Sequence, residues 1–132
     1  MDRRDYLLRL MEQLGRVMAR VRELVTGRSI DAAAGELERF AQEAGVPLAL
    51  LRVLDGDSQT IMLRTAGEPD PAKQLLAAEY LYVQALRAPA VEADALRARA
   101  LELYRSVDPL NNPALSRAVA DRIATLSRKE PP

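Results

Sequence analysis

Between residues 7 and 25 apolar side chains fall on three rows of seven-residue spacing: Leu7, Leu14 and Val21; Leu10, Val17 and Leu24; Met11, Met18 and Val25. At 3.6 residues per turn these rows lie side by side on one face of an α-helix, whereas the two-residue period of a strand would scatter them over both faces. Arg9, Glu12, Gln13, Arg16, Arg20 and Glu23 occupy the rest of the circumference. A helix of about 3–26 with so broad an apolar face is marginal alone, so the rest of the chain has to cover it. Asp2 is placed to cap its start, and Gly27 stands where a left-handed residue closes a helix.

The short turn Gly27-Arg28-Ser29 leads into a second helix to about Ala44, with Ile30, Ala33, Ala34, Leu37, Phe40, Ala41 and Ala44 on one stripe and Gly45 at its end. So short a connection makes the two helices antiparallel, a hairpin over 3–44. Asp70-Pro71 pairs an N-cap with a proline at the first helical position and starts a helix to about Arg87, whose apolar set is Leu75, Leu76, Tyr80, Val83 and Leu86. Ala88-Pro89-Ala90 breaks it, and a helix of about 91–107 with Leu96, Ala100, Leu103, Tyr104 and Val107 completes a second hairpin over 71–107. Asn112-Pro113 opens a last helix over 113–128, with Leu115, Val119, Ile123 and Leu126, before Lys129-Glu130-Pro131-Pro132.

Residues 46–67 admit two readings. Val46-Pro47-Leu48-Ala49-Leu50-Leu51-Arg52-Val53-Leu54 and Thr60-Ile61-Met62-Leu63-Arg64-Thr65 flank a turn-like Asp55-Gly56-Asp57-Ser58, which is a β-hairpin pattern. Two short helices also fit, the first opened by Pro47, the second capped by Asp57 or Ser58 and closed by Gly67. Helices are favoured, because every neighbouring segment is helical and an isolated hairpin is marginal.

A length of 132 residues suits one domain with one core. The chain holds 22 alanines and 17 arginines, all good helix formers, but one Phe and no Trp, which favours helix-on-helix packing. The expected class is all-α, with about six to seven helices. Formal charge balances at 19 against 19, which argues against a general nucleic-acid or anionic-membrane binder. Its layout is uneven, at +3 over 1–28, −5 over 29–71 and +2 over 72–132, an alternation that can guide docking or lie scattered on solvated faces. No uncharged apolar run approaches a bilayer span, and Arg9 and Glu12 interrupt what would be a signal-peptide core. A bacterial cytoplasmic protein is expected.

Cysteine and histidine are both absent. Serines 29, 58, 106, 116 and 127 therefore lack an imidazole to activate them, and a thiolate metal site cannot form. The six glycines are dispersed, so no phosphate-cradling loop is present. Asp55-x-Asp57-x-Gln59 has the start of a calcium loop, but Thr60 replaces its glycine and Ala66 its bidentate glutamate. No metal, cofactor or catalytic residue is expected. Tyr80, Tyr82 and Tyr104 either line a groove between the later helices or pack with their hydroxyls at the surface.

The two helix pairs, with their short connections, have the lengths of tetratricopeptide-like repeats. Gly27-Arg28-Ser29-Ile30-Asp31-Ala32 and Ala98-Arg99-Ala100-Leu101-Glu102-Leu103-Tyr104 resemble the turn and the closing helix of such a repeat. Ala88-Pro89 departs from it, where the turn glycine would sit. Asp5-Tyr6-Leu7-Leu8-Arg9-Leu10-Met11-Glu12-Gln13, together with Gly67-Glu68-Pro69-Asp70-Pro71, resembles an uncharacterised bacterial family of small tetratricopeptide-like proteins. That resemblance implies antiparallel helix hairpins, no catalytic residues, and a role in protein interaction.

The expected function is a non-catalytic protein–protein interaction or scaffold module. The alternatives are a small enzyme or ligand-binding protein using tyrosines and carboxylates, and a nucleic-acid adaptor working through Arg9, Arg16 and Arg20 of helix one. The row Met11, Met18 and Val25 is read as the outermost of the three. It is assigned either to an interface with a second copy or another partner, or to packing under residues 46–67.

Overall fold

The computed structural model describes residues 3–109 and 112–128. Its elements in chain order are α1 (Arg3–Thr26), α2 (Ile30–Ala44), a 3-10 turn (Leu48–Arg52), α3 (Gly56–Met62), β1 (Arg64–Thr65), β2 (Glu68–Pro69), α4 (Pro71–Leu86), α5 (Ala90–Ser106) and α6 (Pro113–Ser127). The chain is all-α, as its periodicity requires, and no described helix is long and apolar enough to cross a membrane. Expected bounds and observed bounds agree because the punctuation is chemical. Asp70 accepts hydrogen bonds from the amides of Ala72 (3.0 Å) and Lys73 (3.3 Å), and Asn112 accepts one from Leu115 at 3.1 Å. Gly45 takes the left-handed conformation at φ 75° and closes α2. The proposed cap Asp2 and the tail 129–132 lie outside the described residues.

Three local expectations shift. The left-handed residue that ends α1 is Arg28 (φ 62°) rather than Gly27, because the Gly27 amide still bonds back to Glu23 at 3.0 Å and the chain reverses one residue later, with Ser29 N–H turning back to Leu24 at 2.7 Å. Asp55, not Asp57 or Ser58, caps α3 by accepting from the Ser58 amide at 2.8 Å. The 3-10 turn and α3 occupy most of residues 48–62, so the longer β-hairpin does not form. A two-residue hairpin follows, with Arg64 opposite Pro69 and Thr65 opposite Glu68. Ala66 (φ 54°) and Gly67 (φ 82°) make its turn, two successive left-handed residues that match the twist of paired strands. So small a ladder survives because it is tied to α4: Thr65 Oγ1 donates to Asp70 at 2.7 Å, and the Asp70 amide donates to Leu63 at 3.1 Å.

Pairing of α1 with α2 and of α4 with α5 follows the expected hairpins, and α4 also packs against α1, α2 and the 3-10 turn. Helix α4 is the centre of the bundle. Alanines 72, 77, 78 and 85 are buried along with Leu75, Leu76, Leu81 and Val83, and small side chains on several faces let neighbours approach from several directions. Helix α6 lies against both α5 and α1. In an open repeat array each unit touches only its neighbours in sequence, whereas here the last helix returns to the first.

That return corrects the reading of helix one. Met11 and Met18 are fully buried in the chain's own core, Val25 is half-buried, and the row left at the edge is Leu10, Val17 and Leu24, all half-buried. The reason is angular. Four residues advance a helix by about 40° beyond a full turn and three fall about 60° short, so Met11, Met18 and Val25 sit closer to the Leu7, Leu14, Val21 row than Leu10, Val17 and Leu24 do. The centred seam faces three helices at once.

Candidate functional site

Two places in the fold combine polar groups with confinement, and the first lies inside the core. Glu79 of α4 is fully buried, and Arg122 of α6 and Tyr104 of α5 nearly so. Arg122 Nε and a terminal nitrogen donate to the two Glu79 oxygens at 2.9 and 2.7 Å, and that terminal nitrogen also reaches the Met18 carbonyl of α1 at 2.9 Å. The other terminal nitrogen donates to Asp121 at 3.1 Å, while the Tyr104 hydroxyl donates to Glu79 Oε1. The guanidinium carbon also stands 5.7 Å from the centre of the Tyr82 ring. Four helices thus converge on one carboxylate–guanidinium pair whose hydrogen-bonding atoms are satisfied, the condition under which a buried ion pair is tolerated.

Electrostatics follow from that enclosure. Burial is the largest influence on the Arg122 pKa and would lower it, but the Glu79 charge, the hydrogen bonds to Glu79 and the neighbouring Tyr104 and Tyr82 together outweigh it, and the guanidinium is held above its ordinary value. Burial and the adjacent Glu79 push Tyr104 well above the ordinary 10.0, and burial also raises Tyr82. Since the folded state keeps the Tyr104 proton that the unfolded chain releases near pH 10, the stability it contributes is complete below that pH and is lost as pH rises through the folded value. We expect thermal midpoints to fall steeply above pH 10, and Tyr104→Phe to flatten that alkaline slope. Circular dichroism melts from pH 8 to 11.5 measure both, and an unchanged slope in the variant would overturn the assignment to Tyr104.

The tyrosines singled out in the sequence do not share a groove. Tyr82 and Tyr104 meet at Arg122, whereas Tyr80 lies on the opposite side of α4, because two residues turn a helix by about 200°. Tyr80 is buried, with Glu38, Arg52 and Arg87 as its charged surroundings. Tyr104 does not reach the surface as packing with a free hydroxyl would require, its hydroxyl being spent on Glu79 in the core. Met11 and Met18 are core, so the proposed contact surface is not formed by these residues. The residues that sequence reasoning missed are Glu79 and Arg122. Their signal was present: Arg122 interrupts the apolar stripe Leu115, Val119, Leu126, and Glu79 the stripe Ala72, Leu76, Val83, one carboxylate and one guanidinium at core positions of two helices. Gln59 is a third buried polar residue. It donates to the Leu51 carbonyl at 2.6 Å and accepts from Arg99 at 2.7 Å, docking α3 on the 3-10 turn and α5 rather than facing an ion in a calcium loop.

The second place is an open cleft at the far end of the bundle from the α1–α2 turn. Its cavity of about 590 Å³ has Tyr6, Leu7 and Leu10 of α1 on one side, Phe40 and Ala44 of α2 on another, and Pro69 and Leu76 closing it. The polar groups at its margin are Thr65, Glu68, Asp70 and Lys73. A smaller recess of about 190 Å³ shares Tyr6, Leu10, Phe40 and Ala44 with it and extends to Arg9 and Glu43. Local structure explains the cleft. Gly45 turns the chain away from α2, the β1–β2 hairpin stands beside the start of α4, and among the described residues Tyr6 of α1 remains 51% exposed. Comparison with protein-family models, with curated proteins and with solved structures finds no match to this chain.

Proposed function

We propose that this chain is a non-catalytic binding module whose contact site is the apolar cleft between the start of α1, the end of α2, the hairpin and the start of α4. The observation that carries this reading is the cleft itself, about 590 Å³ of mainly apolar wall left open on the outside of an otherwise packed bundle. A catalytic role is disfavoured by the fate of the groups suited to chemistry: Glu79, Tyr104 and Arg122 spend their polar atoms on one another and on Met18 in the core. The burial of Met11 and Met18 removes the feature that pointed to self-association through helix one. A bacterial cytoplasmic setting, consistent with the absence of cysteine, belongs to the same proposal.

The test uses Nile red, an uncharged apolar fluorophore, on the intact protein and on Ala44→Trp, which places a large ring where the two recesses join. Binding by the parent with at least tenfold weakening in the variant is expected, both proteins having the same circular dichroism spectrum. Equal affinity for the two would remove the cleft as the site.

A further inference from the structure

The charge on the cleft margin says more about the occupant, on the reading that the cleft binds at all. Among the described residues, Lys73, Arg97 and Arg99 are partly buried, and Arg122 is buried. Arg97 is paired with Asp94, Arg99 with Glu102 at 2.6 Å and Arg122 with Glu79 at 2.7 Å. Lys73 is the exception. Its ammonium donates to the Arg64 backbone carbonyl at 3.3 Å and has no carboxylate at ion-pair distance among the described residues. A lysine ammonium has three protons to donate, so this leaves two for a ligand, on a cation with no carboxylate counter-ion among the described residues.

The carboxylates nearby do not fill that role. Asp70 directs its oxygens to the amides of Ala72 and Lys73 and to the Thr65 hydroxyl, and so is used up by the first turn of α4 and the hairpin. Glu68 is exposed on β2 at the cleft margin and makes no ion pair with Lys73. At the other end of the cleft Arg9 and Glu43 carry one charge of each sign, which favours neither kind of head group. A cavity of about 590 Å³ also lies within the range of small-molecule sites, about 300–1,000 Å³.

We propose that the cleft takes a small anionic amphiphile, a single alkyl chain ending in a carboxylate. The chain lies over Leu7, Leu10 and Phe40, and the carboxylate meets the Lys73 ammonium. The experiment is a ¹H–¹⁵N correlation titration of the intact protein with decanoate, decyltrimethylammonium and the neutral decyl maltoside. Decanoate should shift the amides of Leu10, Ala44 and Lys73 and bind at least tenfold tighter than the cationic probe. Lys73→Gln should remove that preference while Lys73→Arg keeps it, and each added methylene should tighten binding about fourfold. Equal binding of all three head groups would overturn the carboxylate assignment and leave the cleft as an apolar site. Failure of every alkyl probe to shift these amides would overturn the amphiphile, and Nile red binding that persists in Ala44→Trp would independently overturn the cleft.

Discussion

Replacing Arg122 with leucine should cost about 3–5 kcal/mol of unfolding free energy, the penalty for leaving one member of a buried pair without the other. Glu79 is 0% exposed and would retain only the Tyr104 hydroxyl, while the Met18 carbonyl would lose its donor as well. Against a total stability of about 5–15 kcal/mol for a domain, that loss brings the variant close to unfolding. Glu79→Leu combined with Arg122→Leu removes both charges, so its loss should be clearly smaller than that of Arg122→Leu alone. Some loss remains, about 1–3 kcal/mol, because the Tyr104 hydroxyl and the Met18 carbonyl lose their partners. Urea unfolding of the parent, the two single variants and the double variant gives the coupling energy. A loss below about 1 kcal/mol for Arg122→Leu alone would show that water reaches the pair.

Met18→Glu should abolish the folded state at neutral pH. Met18 is fully buried between α1 and its partners, and removing a large apolar side chain from such a site costs about 2–5 kcal/mol before any charge is considered. The added carboxylate would lie beside Leu14 and Val21, both 0% exposed, with Arg122 already committed to Glu79. Val17→Glu is the contrast. Val17 is half-buried on the edge row, and its charge can reach water, so this variant should stay folded. Circular dichroism with light scattering separates the outcomes: a Met18→Glu protein that keeps its helicity but changes its oligomeric state would return this row to an interface.

Much of the fold was legible because the signals are local. Asp70-Pro71 and Asn112-Pro113 act on amides two or three residues away, and Gly45 turns back on α2 within one helical turn, so the bounds of α2, α4 and α6 can be read without knowing what packs against them. The seam of helix one was legible too, but its centre was misjudged by counting rows instead of angles, and Met11 and Met18 were placed at an edge they do not occupy. Residues 46–67 resisted because α3 is only seven residues long and depends on Gln59, whose partners Leu51 and Arg99 come from two other elements.

What the sequence by itself determined is therefore the set of helices, their ends and the stripe each must bury, since propensity, capping and periodicity act within about one turn. Tertiary structure alone decided which stripes meet. Glu79 and Arg122 are 43 residues apart and pair only because α6 returns to the α1–α4 side of the bundle. The cleft is decided at the same level: it is bounded by parts of α1, α2, the hairpin and α4, and Lys73 lines it with no carboxylate counter-ion among the described residues.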